Sequence, residues 1–409
     1  MITTPAREQA PVTVRARLVS RPLLVRFLSV VGVSVSFYLM LSVVPLFARS
    51  AGASTNLAGL MTTALSLSTI AGYLPTPWLV ARYGHRLVLA AGMLLLGAPT
   101  LVLTVSSNLT VLLAVCVVRG IGFAITCVSG GALTISLIPP ERRGEGLALI
   151  GVISGVPSVL SLPLGVWLAG HAGFRPVFAI AAVAALAPLA SLPWLPAGPS
   201  ASARSQTRTP SAGMLAGLRT PALFRPSLIF FATTMAVGVF VTFVPLAASP
   251  QTVGVDELGL LIQPAASIGG RWLAGRLGDR AAAGDQVTAA NRIRGSRLLV
   301  TGVLAVAAGL ALLGLAGHSP VAVLTGAVLF GTGFGVAQNT SLRLMYDRVP
   351  ESGFSMVSAM WNLAYDAGMG IGAAGFGVLA GHTGYPVAFA LTAALVASAS
   401  VVSQGAQAR

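Results

Sequence analysis

A chain of 409 residues in which 55% are hydrophobic and only 9% charged lacks the polar surface that a water-soluble domain of its size needs. With a mean hydropathy of +0.85, this excludes a soluble enzyme of ordinary build and indicates a polytopic membrane protein. The formal net charge of +15 comes from arginines scattered between apolar runs, so the partner it implies is a membrane surface and not nucleic acid.

Residues 1–22 read as a polar tail carrying Arg7, Arg15, Arg17 and Arg21, and no small-residue signal-peptide cleavage site follows them. Apolar runs of about 20 residues, the length that spans a bilayer, then lie near 23–48, 56–80, 87–106, 110–138, 146–169 and 176–195. A stretch at 196–225 rich in Ser, Pro, Ala and Arg reads as a linker, and a second set follows at 226–248, 256–275, 298–317, 320–345, 354–380 and 385–403, with a short tail at 404–409. All twelve are expected to be helices, because lipid offers no partner for backbone N–H and C=O groups and no stretch alternates with the period of a barrel strand. Cys116 and Cys127 share the fourth run, about 16 Å apart along a helix, too far to bridge each other.

Arginine placement gives the orientation. Arg82 and Arg86 follow the second run, Arg142 and Arg143 the fourth, Arg204, Arg208, Arg219 and Arg225 the sixth, Arg276, Arg280, Arg292, Arg294 and Arg297 the eighth, and Arg343 and Arg348 the tenth. The other face holds Arg49 and Arg175. By the positive-inside rule both termini and the 196–225 linker are cytoplasmic. The two sets also repeat: LAGHAGFRPVF at 168–178 corresponds to LAGHTGYPVAF at 379–389, and Pro140-Glu141 to Pro350-Glu351. A parallel duplication places a binding site between the halves.

Four segments carry a family signature: PWLVARYGHR at 77–86, Arg119 followed by GIGFA, PPERRGEGLAL at 139–149, and GRLGDR at 275–280. Together they resemble the major facilitator superfamily over essentially the whole chain. In that family the loop after the second span reads G-x-L-x-D-R-x-G-R-R, with a degenerate copy after the eighth. Here the second copy is the better preserved, with Gly275, Leu277, Asp279 and Arg280 matching. The first keeps Leu79, Arg82, Gly84 and Arg86 but has Pro77, Ala81 and His85 in place of Gly, Asp and Arg. The resemblance implies an all-α integral membrane fold of twelve helices in two pseudo-symmetric six-helix bundles, a monomer without cofactor that draws on the proton gradient, and gating by these loops, whose charges engage the neighbouring bundle in one conformation only.

Within the spans few groups carry charge or strong polarity. Arg119 sits in an apolar helix, where a charge costs about 2.5–3.5 kcal/mol, and it resembles the family's fourth-helix arginine, which is implied to influence protonation of a nearby carboxylate. Asp366 is the one acidic residue deep in a span; with Trp361, Asn362 and Tyr365 it gathers toward one helical face. That face offers an aromatic wall, an amide and a titratable group. Gln338 and Asn339 are further cavity candidates. Gly151, Gly155, Pro157, Pro163 and Gly165 give a Gly/Pro-rich fifth span like the family's antiporter helix, without its G-P-x-x-G-G end. Asp256 and Glu257 are expected to cap the eighth helix. His85, His171, His318 and His382 fall at loops and read as surface residues, so no metal site is expected.

The reading is a secondary transporter that exports a small, partly apolar compound, such as a drug or natural product, by proton antiport from a scarcely charged cavity. Uptake of a nutrient by proton symport is the alternative within transport, and a membrane sensor or integral membrane enzyme a remote one, since the spans hold no His/Asp/Glu cluster and no activated nucleophile.

Overall fold

The computed structural model describes residues 20–138, 143–195, 219–247, 254–282, 289–314, 319–349 and 354–404. Within them lie twelve helices: α1 (Arg21–Ser50), α2 (Thr55–Tyr73), α3 (Thr76–Val102), α4 (Leu109–Leu137), α5 (Arg143–Ala172), α6 (Phe174–Leu186), α7 (Pro221–Phe243), α8 (Val255–Ala282), α9 (Ala289–Leu313), α10 (Pro320–Tyr346), α11 (Phe354–Thr383) and α12 (Tyr385–Gln404). A 3-10 helix at Ala187–Trp194 continues α6, and the described residues contain no strand. The tails, most of the linker, the Pro-Glu pairs and His318 lie outside the described residues.

Local chemistry starts several helices where the apolar runs start. The Ser20, Ser54 and Ser319 hydroxyls accept from the amides of Leu23, Leu57 and Ala322 in the first turns of α1, α2 and α10, satisfying donors that have no intrahelical partner. Pro22 and Pro320 sit in those first turns, where a missing N–H costs nothing. Nine helices are long and apolar enough to cross a membrane on length and composition among the described residues. Of the others, α12 is apolar over a shorter stretch, while α2 and α8 carry more polar and charged residues. Large apolar side chains such as Leu24, Leu28, Leu87 and Leu395 remain exposed on the outside, as a lipid-facing surface requires.

The duplication is visible in the packing. In the first half α1 packs on α5 and α6, α3 on α4 and α6, and α2 on α4; in the second, α7 packs on α11 and α12, α9 on α10 and α12, and α8 on α10. Each pair of the first set becomes a pair of the second when six helices are added, so the two bundles are pseudo-symmetric. The His-Gly repeat has one geometry twice. His171 Nδ1 lies 2.8 Å from the Trp167 carbonyl and His382 Nδ1 2.8 Å from the Val378 carbonyl, closing α5 and α11. Gly173 and Gly384 then take φ of +80° and +79°, a region glycine enters without Cβ strain.

The halves meet along two seams that the repeat exchanges, α2 with α11 and α5 with α8. The α2–α11 seam is closed along its length. A Cβ on Gly59 would lie 2.4 Å from the Ala373 carbonyl oxygen, and one on Gly381 2.6 Å from Asn56 Oδ1. Thr63 Oγ1 donates to the Gly370 carbonyl at 2.7 Å, and the Thr62 and Thr242 hydroxyls meet at 3.0 Å between α2 and α7. Small residues and hydroxyls supply this closeness because lipid provides no hydrophobic drive between helices.

Four sequence expectations change. The second span ends at Tyr73, and the expected loop at 77–86 is instead a helical segment from Thr76 interrupted at Gly84, whose φ of 79° and ψ of 161° turn the chain into the rest of α3. The GRLGDR segment is not a loop either: it continues α8 as helix to Ala282. His85 is not at the surface: it is 1% exposed, and its Nδ1 lies 3.1 Å from the Ser129 carbonyl on α4. Finally, α8 begins at Val255, so Asp256 and Glu257 occupy its first turn, where negative charge meets the helix dipole, and not the position preceding it.

Candidate functional site

A cavity of about 450 Å³ lies between the halves. It is walled by α1, α4 and α5 from one bundle and by α7, α8, α10 and α11 from the other, and along α1 and α4 it extends toward the Arg-rich face as far as Arg26, Gly131 and Thr134. Much of the wall is apolar, including Val30, Leu41, Phe123, Val237 and Phe334. That character suits a drug-sized molecule with an apolar body, and the polar groups set among it would fix orientation.

Of the cavity candidates named from sequence, Tyr365 and Gln338 line the wall. The others are rotated away, because each helical step turns the side chain by about 100°. Trp361 lies one turn below Tyr365 and stacks on Phe230 of α7 at 4.5 Å, with its indole N–H donating to Ser341 Oγ at 3.3 Å. Asn362 is exposed and donates back to the Ser358 carbonyl of its own helix at 2.9 Å. Asn339 is partly buried and outside the wall.

Asp366 is 4% exposed and also stands behind the wall, on the α2 side. The Tyr73 hydroxyl donates to its Oδ2 at 2.7 Å, which makes Asp366 the acceptor of a hydrogen bond between the halves. Arg119 is 2% exposed. Its Nη1 donates to the Leu96 carbonyl and to Thr100 Oγ1 of α3, and its Nη2 donates to the Ser36 carbonyl of α1 at 2.9 Å. Among the described residues it touches no carboxylate. The guanidinium ties three helices of one bundle together.

The cavity is also more charged than expected. Arg26 and Arg271 both line it, with no acidic residue among the lining side chains. Arg26 Nε donates to the Gly130 carbonyl and Thr134 Oγ1, each at 3.1 Å, and its Nη1 to Ser29 Oγ at 2.6 Å. The approach is close: a Cβ on Gly130 would fall 1.9 Å from Arg26 Nη2, and the guanidinium would have to shift to admit it. Arg271 continues a polar stripe on α8 with Gln263 and Ser267, spaced by four residues each. An i, i+4, i+8 set of polar groups in an apolar helix was the sequence signal for this face; Arg26 and Arg271 lay within runs that hydropathy alone counts as apolar.

The residues expected to gate lie on the Arg-rich face. The Arg82 guanidinium lies 5.9 Å from the Trp78 ring and 5.6 Å from the Tyr83 ring, an exposed cation–aromatic cluster at the start of α3. Gly84 is the turn, with Arg86 just beyond it. Gly275 has open space where a Cβ would be, and the side chains of Asp279 and Arg280 fall outside the described ones.

Comparison with known proteins agrees with this architecture. The profile described as Major Facilitator Superfamily matches residues 26–351. A "Chloramphenicol resistance protein" of Streptomyces lividans is 28% identical over 374 residues, covering 89% of this chain and 91% of that one. Among solved structures, the peptide transporter POT in complex with sulfate superposes with a TM-score of 0.73 at 14% identity, over 95% of this chain and 94% of that one. The nucleoside transporter NupG gives 0.72 at 14% identity, over 94% and 99%. At such identity these two show a shared fold.

Proposed function

The chain belongs to the Major Facilitator Superfamily, a family of membrane transporters and not of enzymes, and we propose that this member exports a small, partly apolar organic compound in exchange for protons. The observation that carries the reading is the largely apolar, drug-sized cavity shared by both halves. It is supported by similarity along nearly the whole chain to a chloramphenicol resistance protein. In this reading the cavity binds the compound on one side of the membrane, the bundles rock about their two seams, and the compound leaves on the other. The energy source is the proton gradient, with no cofactor, and the working unit is a monomer. Both termini and the 196–225 linker are cytoplasmic, so the Arg-rich face is the loading side.

Asp366 is the coupling residue in this scheme, and Tyr73 is its partner across the seam. An ionised carboxylate makes a stronger, charge-assisted hydrogen bond than a neutral acid, so proton uptake loosens this tie and proton release restores it. Arg82, Gly84 and Arg86 at the start of α3, with Gly275, Asp279 and Arg280 at the repeat-related end of α8, form the gate. In this scheme Arg119 keeps its bundle rigid while the other bundle moves.

Efflux from cells expressing the protein, measured over a panel of toxic compounds that includes chloramphenicol and compared with empty-vector cells, tests the export reading. Proteoliposomes with an imposed proton gradient test the coupling. Asp366→Asn should abolish uphill transport while leaving downhill exchange in place. Accumulation driven inward in vesicles of known orientation would replace export by uptake, and an Asn variant that still concentrates its substrate would move the coupling site elsewhere.

A further inference from the structure

Resting on the reading of the central cavity as the transport site, we propose that its occupant is an organic anion: a molecule with an apolar body and a single carboxylate or similar oxyanion that docks on Arg271. Among the described residues Arg271 makes neither a hydrogen bond nor an ion pair, yet it is half-buried in the wall of a membrane-spanning helix. The titratable groups it senses are the phenols of Tyr38 on α1 and Tyr365 on α11. A guanidinium at that depth costs several kcal/mol, and such residues are retained where they meet a substrate or ion. Its planar fork matches a carboxylate bidentately.

One further group points the same way. Ser267, one turn from Arg271 on α8, is 3% exposed and lines the cavity, and its Oγ has no hydrogen-bond partner. Buried polar atoms are nearly always satisfied, and an oxyanion seated on Arg271 would accept from the Ser267 hydroxyl.

The charge balance selects against the other classes of ligand. With Arg26 on the α1 wall and no acid among the lining residues, the cavity presents two positive charges. A cationic drug would be repelled and a neutral one would leave Arg271 uncompensated. Arg26 spends Nε and Nη1 on Gly130, Thr134 and Ser29, so it contributes field while Arg271 contributes the open fork, which argues for one oxyanion and not a dianion. The apolar wall then receives the rest of the molecule. An inside-negative membrane potential favours expelling such an anion.

Isothermal titration of full-length protein in phosphatidylcholine nanodiscs tests this with matched probes: 2-naphthoate and 4-phenylbutyrate, their primary amides, and 2-naphthylmethylamine. The carboxylates should bind at least about tenfold more tightly than their amides, and the amine not at all. Arg271→Gln should erase the difference between acid and amide while leaving the amide's affinity in place, and Arg271→Lys should retain part of it. Ser267→Ala gives a milder second variant should Arg271→Gln fold poorly, and should lower the carboxylate's affinity alone. Amides binding as well as acids in the wild type, equal losses of both in Arg271→Gln, or no carboxylate binding up to millimolar concentration would each overturn the proposal. Carboxylate-selective binding without proton-driven efflux would sink the export reading and leave this one standing; efflux without acid preference would do the reverse.

Discussion

Arg119 on α4 and Arg271 on α8 are both arginines within membrane-spanning helices, and their surroundings are opposite. Around Arg119 the carbonyls of Ser36 and Leu96 and the hydroxyl of Thr100 take up the guanidinium on three sides, and 2% of the side chain is exposed. Around Arg271 the described residues supply no acceptor, and the side chain faces the cavity. Arg26 stands between them, facing the cavity but with three acceptors in hand. The contrast is one of partners: a guanidinium bonded to neighbouring helices holds them together, and one with no acceptor among the described residues stands open to a ligand.

Replacing Arg119 has the largest expected effect. Arg119→Leu removes the link among α1, α3 and α4 and should cost about 3 kcal/mol, in the range for breaking a buried charged network. Membrane yield, thermal midpoint in detergent and transport should fall together, with Arg119→Lys intermediate. Normal yield and midpoint with transport alone lost would break the contrast, and would return Arg119 to a coupling role.

Replacing the open one should spare the fold. Arg271→Gln removes no hydrogen bond within the described residues, so its thermal midpoint should stay at the wild-type value while transport of the native substrate is lost. A midpoint drop as large as that of Arg119→Leu would show that Arg271 is structural after all.

The two cysteines sharpen the contrast without touching either arginine. Cys116 is buried three residues before Arg119, and Cys127 opens onto the cavity. A small maleimide should label Cys127 and leave Cys116 unmodified in native protein, with both labelled after denaturation; a bound substrate should slow the reaction at Cys127. Labelling of Cys116 at a comparable rate would mean that the packing around Arg119 opens.

The smallest effect is expected from Thr100→Val, which deletes one of the three acceptors while keeping the shape. It should lower stability by about 1 kcal/mol, read as a modest fall in thermal midpoint with transport retained. Loss of transport at unchanged midpoint would place the Arg119 cluster in the transport cycle.

Much of this fold is written locally. A bilayer demands about 20 apolar residues per helix, so eleven spans were legible as runs, and the His-Gly pairs that end α5 and α11 could be matched by eye because the same hydrogen bond and the same positive φ recur at each. The exception was the second span, where residues 76–83 read as its continuation and then a loop. Only Gly84 and the packing of His85 onto Ser129 make them the start of α3.

The site was less legible. Asp366, Tyr365 and Gln338 stood out as polar groups in apolar helices, but sequence spacing fixes which residues share a face and not where that face points. Helix rotation is set by close contacts with other helices, such as Gly331 against the Gln263 carbonyl and Gly335 against the Ser267 carbonyl. Those contacts lock α8 against α10 with both Ser267 and Arg271 toward the cavity, and comparable packing leaves Trp361 on Phe230 and Asp366 beside Tyr73. The sequence by itself determined how many times this chain crosses the membrane, because span length and apolarity are properties of one segment in lipid. Which charges meet a ligand and which meet a carbonyl was decided only in the tertiary structure, because it depends on contacts between segments far apart in the chain.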